Sequence, residues 1–216
     1  MPRSPVPASS EIFARLVAAG PAALDDGEAL QLAAGLSAAQ VAAVLDEFGS
    51  LPEALAASAA ALSRQLTAAQ AARVLLAKDL ARRLLQAPLK TRPVLTAWGA
   101  VADYLRAILA GRAQEQLRAL YLDKRNRLIR DEVMGEGTVD HVPVYPREIM
   151  RRGLELGASA LVLAHNHPGG HGAPSAADVE VTRQVVEAGR LLRIAVHDHF
   201  LVADQQVVSF RSLGLL

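Results

Sequence analysis

The sequence predicts a mixed α/β protein in which a small all-α helical domain precedes a C-terminal domain whose helices lie between strands. Residues 10–87 are rich in alanine and leucine and carry apolar residues at helical spacing, without any convincing strand. A proline-flanked polar stretch at residues 88–93 follows and is the expected linker. Residues 94–216 then alternate strand-like apolar runs with helical segments, a pattern typical of mixed α/β domains.

The composition is that of a folded globular protein, and it excludes several kinds of chemistry. Of the 216 residues, 51% are hydrophobic, and the net charge of +1 favours no nucleic-acid, membrane or acidic partner. The absence of cysteine excludes disulfides, thiolate zinc sites and cysteine nucleophiles. No apolar run approaches the roughly 18 residues of a membrane span. Residues 1–9 lack the apolar core of a signal peptide, so we expect a disordered leader and a cytoplasmic protein.

Four or five short helices are expected between residues 10 and 87. Glycine, proline and serine interrupt the apolar periodicity at several points, for example at residues 20–21 and 49–52. Ser37 and Thr67 are each followed by Ala-Ala-Gln, which predicts a capping box at the start of a helix.

The C-terminal domain is expected to contain one β-hairpin, followed by helices that alternate with strands. The hairpin is predicted because the polar turn 123–126 separates two apolar runs. Pro146 is expected to open a helix, since proline is favoured at the first helical position. The predicted elements are a helix at 97–109, strands at 117–122 and 127–130, a helix at 146–156, a strand at 158–164, a helix at 175–192, and strands at 194–202 and 206–210.

Two histidines and an aspartate in one short segment predict a metal site. The strand 158–164 leads into His165, and side chains two residues apart on a strand share a face, so His165 and His167 can contact one ion. Pro168 and three glycines turn the chain, and Asp178 follows in the first turn of the next helix. This donor set suits Zn²⁺ best, with Fe, Co or Mn as alternatives. Three protein ligands leave the fourth position of a tetrahedral zinc open for water, which is typical of a catalytic site.

Ser175 and Asp178 also have a simpler explanation when they are considered alone. Ser-x-x-Asp is a capping box that needs no metal, and a single histidine is more often a packed or surface residue than a ligand. Neither explanation accounts for two histidines beside a glycine-rich loop. The complete pattern is more specific than its parts and favours the metal site, with His171 in the loop as a solvent-facing rim residue.

The pattern His165-x-His167-Pro-x6-Ser175-x2-Asp178 resembles the JAMM signature of the JAB/MPN metalloprotease superfamily. The surrounding segments LAHNHPGG, HVPVYPREIMRRGLELGASALVLAHNHP and DHFLV…SFRSLGLL are similar to the bacterial RadC family in particular. The similarity covers more than half of the chain. It implies an MPN/JAB-type, cytidine-deaminase-like α-β-α fold for this part of the protein.

The resemblance also implies a role for each site residue. In JAMM enzymes the two histidines and the aspartate, here His165, His167 and Asp178, hold one zinc ion. The motif serine, Ser175, would stabilise the oxyanion, since its oxygen can accept from the backbone as a helix cap while its hydrogen is donated outward. A glutamate before the hairpin acts through the bound water, and the segment EQLRALYLD matches that part of the family pattern at Glu115. Three other glutamates do not head a strand in the matching way: Glu132, Glu136 and Glu148.

The implied function is zinc-dependent hydrolysis of a peptide or isopeptide bond, with one zinc ion per chain and an unknown protein or peptide substrate. The family position of Asp198 and His199 is structural, so we expect no second metal there. The alternative is a nucleic-acid-binding accessory protein of DNA repair or recombination, in which the metal domain is a scaffold. A purely structural MPN-like scaffold is disfavoured, because such members typically lose the ligands that this chain keeps. Whether the chain forms a homo-oligomer stays open.

The helical domain is a doubtful DNA-binding module. In RadC-like proteins this region resembles a helix-hairpin-helix fold, which contacts the DNA backbone through a glycine-rich hairpin. At the matching place, residues 62–74, the Pro-Gly-x-Gly hairpin is missing. The sequence therefore favours a helical packing or partner-docking module over a DNA-binding one.

Overall fold

The computed structural model describes residues 9–137 and 144–216. Residues 1–8 of the expected leader lie outside the described residues, while Ser9 already begins the first helix. The chain divides into two compact units, Met1–Leu80 and Ala81–Leu216. In the described ranges no single helix is long and apolar enough to cross a membrane, and one pair of helices passes that test only when joined across a bend of 119°.

From residue 9 onward, the first unit contains five short helices and about half of a longer one. A buried set of leucine, valine and alanine side chains fills its interior. Ser37 and Gln40 form the predicted capping box, and Thr67 and Gln70 exchange the same pair of hydrogen bonds. The helices are α1 (Ser9–Ala19), α2 (Asp26–Ala34), α3 (Ala38–Phe48), α4 (Leu51–Ala56), α5 (Ala59–Leu62) and α6 (Ala68–Thr91), with a 3₁₀ turn at Pro21–Ala23.

Most of the predicted linker at residues 88–93 is helical. Helix α6 continues to Thr91, and the boundary between the units falls within this helix after Leu80. A proline inside a helix costs about 3 kcal/mol. Leu89, directly after Pro88, is fully buried in the core of the second unit, and burial of a leucine contributes about 1.5–3 kcal/mol. The packing of Leu89 therefore offsets most of the cost of Pro88.

The second unit is the predicted mixed α/β domain. Its five strands form one sheet in the order β2-β1-β3-β4-β5. Strands β3 and β4 are parallel, and the other neighbours are antiparallel. The elements are α7 (Trp98–Leu109), β1 (Gln116–Leu122), β2 (Leu128–Glu136), α8 (Pro146–Glu155), β3 (Ala160–Asn166), α9 (Ala176–Leu192), β4 (Ala195–Ala203) and β5 (Gln206–Ser209), with a 3₁₀ turn at Val94–Thr96.

Helices cover both faces of this sheet, because strand residues alternate between two cores. In β3, Val162 and Ala164 pack into the core that contains α7. Leu161 and Leu163 point the other way, into the core that contains residues of α8 and α9. Burial on both faces explains why β3 is a continuous apolar run in the sequence. The predicted α-β-α arrangement is confirmed.

Gly189 in α9 allows close approach of the Ile194 backbone, which lies directly before β4. A Cβ atom at this position would lie 2.4 Å from the backbone oxygen of Ile194, whose N–H donates to the oxygen of Gly189 at 2.8 Å. We expect Gly189→Ala to lower the free energy of unfolding by about 3 kcal/mol, because the backbone must move to relieve the contact. Urea denaturation measures this loss.

Gly99 in α7 is the matched control, since a Cβ atom there would meet nothing within 4 Å. Gly99→Ala should be neutral or stabilise the protein by up to about 1 kcal/mol. Equal losses in the two variants would contradict the close-contact explanation for Gly189.

Candidate metal centre

Two histidines at the end of β3 lie on one face of the sheet. His165 follows Leu163 at strand spacing and points into the same α9-side layer, and His167 comes two residues later. The N–H of His167 donates to the oxygen of Val202 at 3.0 Å, so pairing with β4 extends one residue beyond β3. His165 is almost completely buried, whereas His167 is partly accessible.

The pairing of β1 with β3 brings Glu115 to the same edge. Leu117 lies opposite His165 in this antiparallel pair. Glu115 precedes Leu117 by two residues and His167 follows His165 by two, so the register places Glu115 level with His167. The backbone oxygen of Glu115 also accepts from the N–H of Gly137 at 3.0 Å. This register is the structural reason why a glutamate at the head of β1 can reach the histidines.

The first turn of α9 supplies Asp178. Ser175 is the N-cap, and the predicted capping box with Asp178 is confirmed. The carboxylate oxygens Oδ1 and Oδ2 lie 3.4 Å from His165 Nε2 and 3.3 Å from His167 Nε2, respectively. The carboxylate accepts hydrogen bonds from the N–H and the hydroxyl of Ser175, each at 2.7 Å, and both stabilise its ionised form. Asp178 is therefore an anion at neutral pH.

Four of the five predicted site residues converge at this edge of the sheet. Glu115, His165, His167 and Asp178 each offer one ligand atom, and these atoms all lie within 4.8 Å of one another. The two Nε2 atoms of the histidines are 3.2 Å apart. Such a group of side chains, within the described part of the chain, could hold a metal ion.

Ser175, the fifth predicted residue, directs its hydroxyl hydrogen inward. Its Oγ lies 2.7 Å from Asp178 Oδ2 and 3.1 Å from the backbone nitrogen of Asp178, whose N–H it accepts. Because the ionised carboxylate has no hydrogen to donate, the serine must donate its own. This corrects the expectation that the hydrogen points outward, and the reason is that the neighbouring anion is a strong acceptor.

The glycine-rich loop orients His167. The ring nitrogen Nδ1 lies 2.9 Å from the backbone oxygen of His171. A carbonyl oxygen can only accept, so Nδ1 carries a hydrogen and Nε2 is the nitrogen that faces the cluster. Gly170 has a φ of 71°, which glycine adopts readily. The side chain of His171 is exposed, as predicted for a rim residue.

Asn166, between the two histidines, holds the segment that carries Glu115. Its Oδ1 accepts from the N–H of Gln116 at 3.0 Å, and its Nδ2 donates to the backbone oxygen of Gln114 at 3.1 Å. Asn166 and Gln116 are both almost completely buried. These two hydrogen bonds fix the backbone on each side of Glu115.

We expect Asn166→Ala to lower the free energy of unfolding by about 2 kcal/mol, because it leaves two backbone groups of the Glu115 segment without their partner. Hydrogen exchange at the Gln116 amide should also become faster. Thermal unfolding and exchange measured by NMR check both effects. Gln184→Ala removes an exposed amide from α9 and should change stability by less than about 0.5 kcal/mol. An unchanged exchange rate at Gln116 would contradict the anchoring role.

Two buried residues, one in contact with His165 and the other with its neighbour, were not assigned to the site from the sequence. His199 on β4 places its Nε2 2.8 Å from His165 Nδ1, and its Nδ1 lies 2.6 Å from Thr182 Oγ1. Complete burial lowers the pKa of His199 well below its ordinary value. The sequence shows the Asp-His pair, but the contact depends on the parallel register of β3 and β4, in which Leu163 lies opposite His199.

Asp198 holds the C-terminal segment against His199. Its carboxylate accepts from the N–H groups of His199 and Arg211 at 2.7 and 3.0 Å, and from the hydroxyl of Ser209 at 2.6 Å. The ring of Phe210 then stacks on the His199 ring with 4.3 Å between centroids. This packing restricts the orientation of the imidazole.

Comparison with known proteins identifies the family. The sequence profile of the RadC-like JAB domain matches residues 95–215, a range that includes all four converging side chains. The UPF0758 protein of Rhodobacter capsulatus is 45% identical over 175 residues, which cover 80% of this chain and 82% of that protein. The chain therefore belongs to the RadC-like JAB domain family.

Proposed function

We propose that this protein is a hydrolase that binds one zinc ion through His165, His167 and Asp178 and cleaves a peptide or isopeptide bond. The observation that carries the proposal is the convergence of these three groups with Glu115, with all four ligand atoms within 4.8 Å of one another. JAB/MPN relatives are often hydrolytic, which supports the same reaction class.

The donor set fits a metal cation. The Nε2 of His167, whose Nδ1 is bound to the His171 oxygen, faces His165 Nε2 at 3.2 Å, and the Asp178 anion lies within 3.4 Å of both rings. Electron-rich atoms at these distances repel one another, and a cation among them would remove that repulsion. Two imidazoles and one carboxylate are a known ligand set of catalytic zinc.

Glu115 is the proposed general base and acid. A bound zinc ion would supply Lewis acidity and lower the pKa of water to about 7. The carboxylate of Glu115 would accept a proton from the attacking water and deliver it to the leaving amine. Asn166 holds the backbone on both sides of Glu115, which keeps the carboxylate at the edge of the sheet.

Ser175 is the proposed oxyanion donor, in a role that requires a change of partner. Its hydrogen is bound to Asp178 Oδ2, so it would have to turn from the aspartate to the substrate oxygen. Metal binding would weaken the attraction of the Asp178 carboxylate for this hydrogen. A donor of this kind is typically worth about 2.7–4 kcal/mol in the transition state.

A protein or peptide is the proposed substrate class. The side chains of His167 and Asp178 are 18% and 15% exposed, so the proposed ligands can be reached from solvent. We would incubate the zinc-loaded protein with a peptide library and a lysine-linked isopeptide. Cleavage that stops with a chelator and returns with zinc is the expected result. If the zinc-loaded protein cleaves no member of either set, the proposed hydrolase activity is wrong.

A further inference from the structure

We propose that the Thr182 hydroxyl selects the tautomer of His165 through His199, and thereby presents an unprotonated Nε2 to the metal. Thr182 and His199 are positioning residues in this proposal, because neither belongs to the group of ligand atoms. The inference rests on the proposed metal site. It goes beyond that site by assigning a function to two residues outside it.

Three short contacts connect α9 to the candidate ligand. Thr182 Oγ1 lies 2.5 Å from the backbone oxygen of Asp178, one turn earlier in the helix. The same Oγ1 lies 2.6 Å from His199 Nδ1, and His199 Nε2 lies 2.8 Å from His165 Nδ1. All three linked side chains are about 1% exposed, so water does not compete for these contacts.

The direction of donation is determined at Thr182. The backbone oxygen of Asp178 can only accept, and two oxygen atoms 2.5 Å apart with no hydrogen between them would repel each other. The Thr182 hydroxyl therefore donates its single hydrogen to Asp178. Its oxygen must then accept from His199, so the hydrogen of the neutral His199 ring is on Nδ1.

The remaining assignments follow for imidazole rings that each carry one hydrogen, the form that burial away from water favours. His199 Nε2 has no hydrogen and accepts from His165 Nδ1. A His165 ring whose one hydrogen is on Nδ1 leaves its Nε2 unprotonated, and this atom faces His167 and Asp178. This is the nitrogen that a metal ion requires. Rotation of the His199 ring would place carbon atoms where the nitrogens now lie, and both hydrogen bonds would be lost. The stacked ring of Phe210 also restricts movement of this imidazole.

Asp178 couples the two functions. Its backbone oxygen is the end of the hydrogen-bond chain, while its carboxylate is a proposed ligand. The opposite chain, in which Thr182 donates to His199, would place a hydrogen on His165 Nε2 and block that nitrogen. Selection of the correct tautomer therefore removes a competing state before the metal binds. Outer groups of this kind typically change metal affinity by about 10- to 100-fold.

The test compares wild type with Thr182→Val and Thr182→Ser. Valine keeps the branched shape and removes the hydroxyl, while serine keeps the hydroxyl. Long-range ¹H–¹⁵N NMR spectra of the metal-free proteins report which ring nitrogen of each histidine carries the hydrogen. The spectra are recorded at about pH 8, above the ordinary histidine pKa of about 6.5. Zinc affinity is measured by competition with a chromophoric chelator.

The wild type should carry its hydrogen on Nδ1 of both His165 and His199. In Thr182→Val we expect a population with the hydrogen on Nε2 of His165 and a zinc affinity about 10- to 100-fold lower. Thr182→Ser should keep the tautomers and the zinc affinity of the wild type. A hydrogen on His165 Nε2 in the wild type would overturn the proposal without any variant. A valine variant with unchanged tautomers and zinc affinity would overturn it as well. If the wild type binds no zinc, the metal site itself is wrong, while the NMR spectra still decide the tautomer.

Discussion

Glu115→Gln should lower the rate of hydrolysis by about 10²- to 10⁴-fold, while zinc remains bound. Glutamine keeps the size of the side chain but cannot accept and deliver the proton that the reaction requires. The Glu115 carboxylate is part of the cluster of ligand atoms. Glu115 belongs to the segment before β1, whereas the other members come from the end of β3 and from α9. Steady-state kinetics and metal analysis on the same preparation measure the two quantities.

Glu148→Gln is the matched control for this change. Glu148 lies in α8 and pairs with Arg147 and Arg151, outside the group of converging ligand atoms. Its replacement should leave the rate unchanged. Full activity in Glu115→Gln would show that Glu115 is not the base. Loss of zinc together with activity would show that Glu115 is a ligand instead.

His167→Ala should reduce bound zinc from about one ion per chain to a small fraction, because two protein ligands do not replace three in a tetrahedral site. His167 is the better target of the two histidines. It is partly exposed, whereas His165 is buried among His199 and Phe210, so the loss of His167 disturbs the core less. Metal analysis after desalting measures the occupancy.

Zinc should also stabilise the wild type against unfolding but have little effect on His167→Ala. A free zinc concentration of about 1,000 times the Kd would add about 4 kcal/mol to the free energy of unfolding. His171→Ala is the control, since the proposed contribution of that residue is its backbone oxygen, which alanine retains. Equal zinc binding by His167→Ala and His171→Ala would exclude His167 as a ligand.

The local parts of the site could be predicted from the sequence. Three local features depend only on neighbouring residues and can be recognised without knowledge of the fold. They are the apolar run before His165, the glycines after Pro168 and the Ser175 cap. The predicted hairpin, the helix opened by Pro146 and the alternation that follows are confirmed for the same reason.

The long-range parts could not be predicted in this way. Glu115 was assigned through the family pattern, because neither segment contains a sequence signal for the register that pairs Leu117 with His165. The contact of His199 with His165 likewise depends on which strand lies beside β3. The continuation of α6 to Thr91 could not be read from the sequence either, because Leu89 is buried by residues distant in the chain.

Ser175 shows a different limit of the sequence. Its cap was predicted correctly, but the direction of its hydrogen depends on Asp178 Oδ2 at 2.7 Å, a distance that only the folded turn defines. The same turn makes Asp178 a cap partner, a proposed ligand and the end of the Thr182 chain. We therefore expect substitutions at Asp178 to alter helix, metal and tautomer together, which makes them less informative than His167→Ala.

The metal site is tested most directly by a crystal structure of the zinc-loaded protein, with anomalous data collected on both sides of the zinc absorption edge. We predict one peak per chain, at about 2.0–2.2 Å from His165 Nε2, His167 Nε2 and a carboxylate oxygen of Asp178. Zinc bound elsewhere, or no peak at these side chains in crystals grown with zinc, would contradict the assignment.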